Sequence, residues 1–97
     1  AFAELAGVRE SLIEEWELSQ PALIKKSEQA AKGTAAKAWR FVGEMEEIAK
    51  TMNSSDLPGG FHKASAELYS LMAQFKDAKT PDLNEVLQEI ISLSNKQ

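Results

Sequence analysis

The sequence predicts an all-α protein, a helical bundle of about five helices with a central antiparallel helical hairpin. Apolar residues recur at spacings of three and four through most of the chain, as on one face of a helix. No segment alternates apolar and polar residues over the length of a strand. With 97 residues, 43% of them apolar, the chain can bury one modest core. We therefore expect residues 1–97 to form a single helical domain.

The chain opens on the last turns of a helix. Residues 1–6 have helical character but no capping residue before them, and Gly7 follows where a helix would end. This pattern indicates that the helix begins upstream of Ala1. We expect the chain to be part of a longer protein.

Two further helices precede the hairpin. Leu12, Ile13 and Trp16 give the first of them an apolar side, and glutamates occupy the other side. Pro21 ends this helix and suits the first position of the next. Because a glycine inside a helix costs only about 1 kcal/mol relative to alanine, we expect Gly33 to mark a bend or a short break.

The central hairpin runs from about residue 34 to residue 69. Its corner is residues 53–60, where Pro58 and two glycines prevent the helix from continuing. Phe61 then restarts the helical period, which we expect to continue to Phe75. On a helical wheel the first helix has an apolar arc about 140° wide, formed by Ala35, Ala38, Phe41, Val42, Met45, Ile48, Ala49 and Met52.

The last helix has a well-marked start. Asp82 is followed three residues later by Glu85, the spacing of a capping box, and Pro81 stands just before. The apolar residues from Leu83 to Leu93 recur at helical spacing, so we expect them to pack inward.

The other side of the first hairpin helix is polar and either faces solvent or lines a site. Arg40 is the best anion contact there, because a guanidinium can grip a carboxylate or phosphate with two parallel hydrogen bonds. An ion pair with Glu44, one turn on, is the alternative. We also expect Glu46 and Lys50 to pair across one turn. This polar side consists of Lys37, Arg40, Glu44, Glu47 and Thr51.

Two blocks of the hairpin resemble a known family. They are AWRFVGEMEEIA at residues 38–49 and LPGGFHKASAELY at residues 57–69. Together they are similar to the C-terminal helical domain of NAD(P)-dependent oxidoreductases like 6-phosphogluconate dehydrogenase, related to the β-hydroxyacid dehydrogenases. The resemblance implies a parent enzyme whose N-terminal Rossmann domain, absent from this chain, binds NAD or NADP. It also implies that the catalytic lysine and its nearby asparagine lie upstream of Ala1, so this chain contains no catalytic residue.

The resemblance further implies that this domain shapes the pocket for a small anionic or hydroxy-acid substrate. The pocket candidates are Arg40, Glu44, Glu47 and His62. His62 opens the helix after the corner, where free backbone N–H groups favour negative charge, although a lone histidine at a helix start is more often a surface or capping residue. We expect a homodimer, since one small core would not cover the apolar residues near the start of the chain, which are Phe2, Leu5, Leu12, Ile13 and Trp16.

Composition excludes several kinds of function. A net charge of −4 argues against nucleic-acid and anionic-membrane partners. The absence of cysteine excludes disulfides and thiolate metal sites and favours a cytoplasmic location. No apolar run is long enough to span a membrane, and no Glu-x-x-His pair suggests a metal site.

The glycines do not form a dinucleotide fingerprint. That motif needs closely spaced glycines between a strand and a helix, and the five glycines here stand apart or in helical surroundings. We therefore expect no cofactor to bind to this chain alone. The alternative function is a free-standing helical protein–protein interaction module that presents Arg40 and Glu44 to a partner.

Overall fold

The computed structural model describes residues 1–76 and 81–95, of which 81% are helical and none is in a strand. This confirms the predicted all-α fold. In chain order the elements are α1 (Phe2–Leu5), α2 (Arg9–Ser19), α3 (Pro21–Ala35), α4 (Ala38–Ser54), α5 (Gly60–Leu71), a 3-10 helix (Ala73–Phe75) and α6 (Leu83–Ser94).

Helix α1 ends where the sequence predicted. Gly7 has a φ of 75°, in the left-handed region that glycine adopts without strain. The N–H of Gly7 donates to the carbonyl of Glu4 at 3.1 Å, and the N–H of Val8 donates to that of Ala3 at 2.9 Å. These are the two hydrogen bonds of a Schellman cap, which pairs the last free carbonyls of the helix.

The predicted bend or break at Gly33 was misplaced. Helix α3 passes through Gly33 to Ala35, and α4 begins at Ala38 rather than near Thr34. The two residues between the helices keep right-handed helical angles, so the turn needs no glycine. Ala35 and Ala38 on either side of it are fully buried. Burial of these two small side chains, which depends on the rest of the bundle, sets the position of the turn.

Helices α4 and α5 form the predicted antiparallel hairpin and share the most extensive helix–helix contact among the described residues. Ala49 of α4 and Ala66 of α5 are buried. The rings of Phe41 and Tyr69 lie 5.5 Å apart, centroid to centroid, at an angle of 44°. The apolar arc predicted for α4 is therefore the side that packs inward.

Helix α6 closes the bundle. Asp82 accepts a hydrogen bond from the N–H of Glu85 at 2.8 Å, which confirms the predicted N-cap. The helix packs against α3 and α5. A small core cluster lies where α3, α4, α5 and α6 meet. It consists of Ala35, Ala38, Met72 and Val86, with Tyr69, Phe75 and Ile90 packed around them. The sequence had predicted that α5 continues to Phe75, but α5 ends at Leu71 and Phe75 lies on the 3-10 helix.

The chain is extended for its size. Its radius of gyration is 15.1 Å, against about 12.5 Å for a compact domain of this length. Its accessible surface is 6846 Å², against about 5,500 Å² for a compact monomer of the same mass. The exposed surface includes large apolar side chains, since Phe2 is 82% exposed, Leu18 85% and Phe61 78%. Among the described helices, none has both the length and the apolar character that a membrane crossing requires.

Candidate functional site

The corner of the hairpin begins with an unusual helix cap. The N–H of Leu57 donates to the carbonyl of Met52 at 2.8 Å, and the N–H of Asp56 donates to that of Asn53 at 3.2 Å. This is the cap that also ends α1, but Asp56 occupies the left-handed position, with a φ of 59°. A side chain in that conformation costs about 1 to 2 kcal/mol relative to glycine. The corner is thus held in a strained turn.

Gly59 brings the corner into direct contact with α4. A Cβ atom at Gly59 would lie 2.7 Å from the carbonyl oxygen of Ala49 and 2.8 Å from Oδ1 of Asn53. No side chain larger than hydrogen fits there. Gly60 has nothing within 4 Å of the same position, so only the first glycine of the pair is required by packing. The start of α5 is held against the last turns of α4 by this close approach.

His62 lies in the first turn of α5 with its side chain partly buried. Its Nδ1 atom is inaccessible to solvent and has no hydrogen-bond partner among the described residues. The ring meets that of Phe61 edge to face, with centroids 5.2 Å apart. Phe61 itself points outward. Consecutive residues lie about 100° apart around a helix, so the two rings touch while Phe61 faces solvent and His62 lies on the side nearer the bundle.

A cleft of about 300 Å³ lies beside the corner. Lys50 and Glu47 face each other at its edge, with Nζ and Oε1 3.9 Å apart and both side chains largely exposed. Such an exposed pair contributes little to stability and leaves both groups free to contact a ligand. Ammonium, carboxylate and amide groups together can bind a small polar molecule that carries a carboxylate and hydroxyls. The cleft is lined by Glu46, Glu47, Ala49, Lys50, Asn53 and Lys63.

The structure brings two of the four predicted pocket residues to this region. Glu47 lines the cleft, and His62 precedes Lys63 in the adjoining turn. Glu44 and Arg40 are exposed on the same outer side of α4 but lie outside the cleft. Arg40 lies about 10 Å along the helix axis from Glu47, given the rise of an α-helix. The polar side of α4 therefore extends well beyond any single small pocket.

Arg40 contacts an aromatic ring rather than Glu44. Its guanidinium carbon lies 5.9 Å from the ring centroid of Trp39, and the Nζ atom of Lys76 lies 4.2 Å from the same centroid. Such cation–π contacts hold the two basic groups next to one another. No ion pair forms between Arg40 and Glu44, and Lys50 pairs with Glu47 instead of the predicted Glu46.

Sequence reasoning missed five of the six residues that line the cleft, since Ala49 was assigned to the apolar arc and Glu46 to a pair with Lys50. Lys50 was assigned to a surface ion pair, Asn53 to the loop, and Lys63 was given no role. The predicted antiparallel hairpin was enough to place Lys50, Asn53 and Lys63 near one another. Antiparallel helices place the last turns of the first opposite the first turn of the second, which brings positions 50, 53 and 63 together.

An apolar groove of about 250 Å³ lies at the other end of the molecule, between α1, α2, α3 and α6. Of the five residues that we expected at a dimer surface, three line this groove and are partly buried, namely Leu12, Ile13 and Trp16. The other two, Phe2 and Leu5, are exposed. Nη1 of Arg9 at its edge lies 3.0 Å from Oε2 of Glu4. The N–H···O angle between the two groups is outside hydrogen-bonding geometry, so this contact is an ion pair without a hydrogen bond.

No group of three or more His, Asp or Glu side chains among residues 1–76 and 81–95 could hold a metal ion.

The sequence matches the family described as a domain of unknown function, DUF1932, over residues 3–72. The chain belongs to the DUF1932 family. The matched region contains the hairpin, its corner and all residues that line the cleft, whereas α6 lies outside it. Comparison with curated proteins and with solved structures found no match.

Proposed function

We propose that this DUF1932 domain is the C-terminal helical domain of an NAD(P)-dependent oxidoreductase similar to 6-phosphogluconate dehydrogenase. The domain would shape the substrate pocket and form part of a dimer interface. The observation that carries this proposal is the contact between the two sequence blocks of the resemblance. Gly59 of the second block lies against Ala49 of the first, and the cleft lies beside this contact.

The family supports the same proposal. DUF1932 domains occur in the C-terminal region of NAD(P)-binding proteins like the β-hydroxyacid dehydrogenases. A domain of such an enzyme needs polar groups near the reacting substrate, and the cleft offers the ammonium groups of Lys50 and Lys63 beside the Asn53 amide. The ammonium and amide groups suit the carboxylate of a small anionic or hydroxy-acid substrate, and the carboxylates of Glu46 and Glu47 in the same cleft can accept hydrogen bonds from its hydroxyls.

The residues of this chain do not fit a nicotinamide cofactor themselves. None of the described residues forms a strand, and the glycines do not have the spacing that lets backbone approach a pyrophosphate. We therefore assign NAD or NADP to an upstream Rossmann domain. The part of this chain in the reaction is limited to binding and orienting the substrate. The absence of cysteine makes the cytoplasm the proposed location.

The DNA upstream of the codon for Ala1 tests this proposal. We expect an open reading frame that encodes a glycine-rich Rossmann motif and then a lysine-bearing helix. The full-length product should reduce NAD or NADP in the presence of a hydroxy acid, which absorbance of the reduced nicotinamide measures directly. A start codon a few residues upstream of Ala1 would contradict the proposal.

A start codon there would instead favour a free-standing interaction module. One observation supports that second function: Arg40, Glu44 and Glu47 are all exposed along one side of α4. A partner protein with complementary charges could bind this side, and affinity capture with the charge-reversed Arg40→Glu variant as control would identify it.

A further inference from the structure

The apolar groove at the end of the molecule away from the hairpin corner owes its shape to three helices. Helices α2 and α6 each pack against α3 but make no comparable contact with each other. The floor between them is formed by Ser27 and Ala31 of α3, which lie one turn apart and are both small. Larger side chains at these two positions would fill the space. The groove of about 250 Å³ therefore exists because α3 carries small residues there.

Apolar side chains form the two walls of the groove, and the protein buries them only in part. Leu12, Ile13 and Trp16 form the α2 wall, and Leu83 and Leu87 form the α6 wall. Each of the five keeps part of its surface exposed. Covering such surface is favourable, because the free energy gained is proportional to the apolar area removed from water. A ligand with an apolar body of matching size would complete the burial of both walls.

One end of the groove is polar. Arg9 begins α2, and Trp16 lies two turns further along the same side of the helix, about 10 Å away along its axis. Nη1 of Arg9 lies 3.0 Å from Oε2 of Glu4. The other carboxylate oxygen of Glu4 accepts a hydrogen bond from the side-chain amide of Gln88 at 3.4 Å. The charged groups thus gather at the Arg9 end of the groove, and the Trp16 end is apolar.

The guanidinium of Arg9 has unused hydrogen-bond donors. None of its nitrogens donates to a side chain or carbonyl among the described residues, and Nη1 is also inaccessible to solvent. A nitrogen that has lost its water without gaining a partner is unfavourable. The Arg9 side chain as a whole is 33% exposed, so its other N–H groups remain accessible. A polar group of a ligand at this end of the groove would supply the missing acceptor.

The charges at this end favour a neutral ligand. Arg9 and Glu4 have opposite charges and lie in contact, so together they present little net charge. Glu10, beside Arg9, is exposed and adds a negative charge. Both glutamates would repel a carboxylate on the ligand. A hydroxyl group can accept a hydrogen bond from Arg9 and donate one to Glu4, so an alcohol complements both residues at once.

We propose that this groove binds a neutral alcohol with an apolar body up to about 10 Å long, with its hydroxyl group between Arg9 and Glu4 and its body between the α2 and α6 walls. The site is separate from the cleft beside the hairpin corner, which is lined mainly by charged side chains. The inference does not rest on the proposed function. The class of ligand follows from the size, the apolar walls and the paired charges of the groove.

The first test titrates the 97-residue chain with three aromatic compounds of similar size and follows the amide chemical shifts by NMR. Phenylethyl alcohol carries the hydroxyl group, ethylbenzene lacks it, and phenylacetate has a carboxylate in its place. We expect phenylethyl alcohol to bind with a Kd of about 0.1 to 1 mM. Ethylbenzene should bind about fivefold more weakly, because it forms no hydrogen bond, and phenylacetate most weakly of all. The shifts should be confined to the helices that line the groove.

The second test fills the floor of the groove. Ala31→Leu places a larger side chain there and should weaken the binding of phenylethyl alcohol at least about tenfold. The matched control is Ala30→Leu, the same substitution one residue earlier on α3, where the side chain is exposed. This control should leave the Kd within about twofold of the wild-type value. Circular dichroism checks that both variants remain helical.

The third test removes the donors of Arg9. Arg9→Met keeps an unbranched side chain but has no N–H group in it. The substitution should weaken the binding of phenylethyl alcohol about fivefold and leave that of ethylbenzene unchanged, so that the preference for the alcohol disappears. Because this variant leaves the floor of the groove intact, it keeps the test decisive even where Ala31→Leu unfolds.

Four results would overturn the inference. They are no binding of phenylethyl alcohol up to about 10 mM, undiminished binding by Ala31→Leu, binding of ethylbenzene or phenylacetate at least as tight as that of the alcohol, and an alcohol preference that survives Arg9→Met.

Where the gene encodes residues upstream of Ala1, the longer protein is titrated in the same way. Ala1 lines the groove, so a loss of binding in the longer protein would show that upstream residues occupy it and would also overturn the inference. None of these titrations bears on whether an upstream reading frame encodes a Rossmann motif, which is the test of the proposed function. The two proposals therefore fail by different results.

Discussion

The two outer sides of the hairpin differ in what they require from their surroundings. On α4 the outer side is charged, with Arg40, Glu44 and Glu47 in contact with solvent. On α5 the outer side presents Phe61 and Leu68, whose apolar surface is unfavourable in water. The inner sides of the two helices are alike, because each buries an alanine, Ala49 on α4 and Ala66 on α5, that allows close packing. The inner sides therefore make the fold, whereas the outer sides differ in the surface that they expose, charged on α4 and apolar on α5.

The largest expected effect comes from breaking the contact that holds both helices in place. Gly59→Ala puts a methyl group 2.7 Å from the backbone oxygen of Ala49, which cannot move without distorting α4. We expect a loss of about 2 to 3 kcal/mol in the free energy of unfolding. Urea denaturation followed by circular dichroism measures it.

Gly60→Ala is the matched control for this variant, because its added methyl group meets no atom within 4 Å. We expect it to change stability by less than about 0.5 kcal/mol in the destabilising direction. Equal losses in the two variants would show that the close contact at Gly59 does not hold the corner.

The second prediction separates the cleft from the rest of the polar side of α4. In the proposed full-length oxidoreductase, Lys50→Ala should lower kcat/KM by a factor equivalent to about 1.5 to 3 kcal/mol, because it would remove the charged contact proposed for the substrate. Arg40→Ala, at the far end of the helix, should change it by less than about 0.5 kcal/mol. Steady-state kinetics at saturating cofactor measure both. A larger loss for Arg40→Ala would move the pocket toward Trp39 and away from the corner.

A third prediction concerns the strained cap between the two helices. Asp56→Gly should stabilise the chain by about 1 kcal/mol, because glycine adopts a φ of 59° without steric cost. For a domain of this size the midpoint of thermal unfolding should rise by about 4 to 8 °C. Asp56→Ala removes the charge but keeps the strain, so its midpoint should not rise. A rise in both variants would assign the effect to charge.

The smallest expected effect tests the exposed side of α4. Gly43 lies inside the helix, and a Cβ atom there would meet nothing within 4 Å. Gly43→Ala should therefore stabilise the protein by about 0.5 to 1 kcal/mol through the lower backbone entropy of the unfolded chain. Thermal unfolding monitored by circular dichroism measures the gain. Destabilisation would mean that another molecule, such as a second chain, packs closely at this position.

Helical periodicity determined most of the architecture. The apolar arc of α4, the corner at Pro58 and the cap at Asp82 were all predicted, because each depends on residues within a few positions of one another. The turn between α3 and α4 was not, since no glycine or proline marks it. Its position depends on burial of Ala35 and Ala38 beneath Met72 and Val86, which lie far away in the sequence.

The candidate site, too, was only partly predictable from the sequence. The sequence by itself determined that Glu47 and His62 belong near a glycine-rich corner between two helices. Only the tertiary structure decided that Lys50, Asn53 and Lys63 share one cleft, that Arg40 lies outside it, and that Gly59 rather than Gly60 is essential to packing. The physical reason is distance along the chain. Periodicity and capping act within one or two turns, whereas a cleft and a close backbone contact exist only after separate helices have packed together.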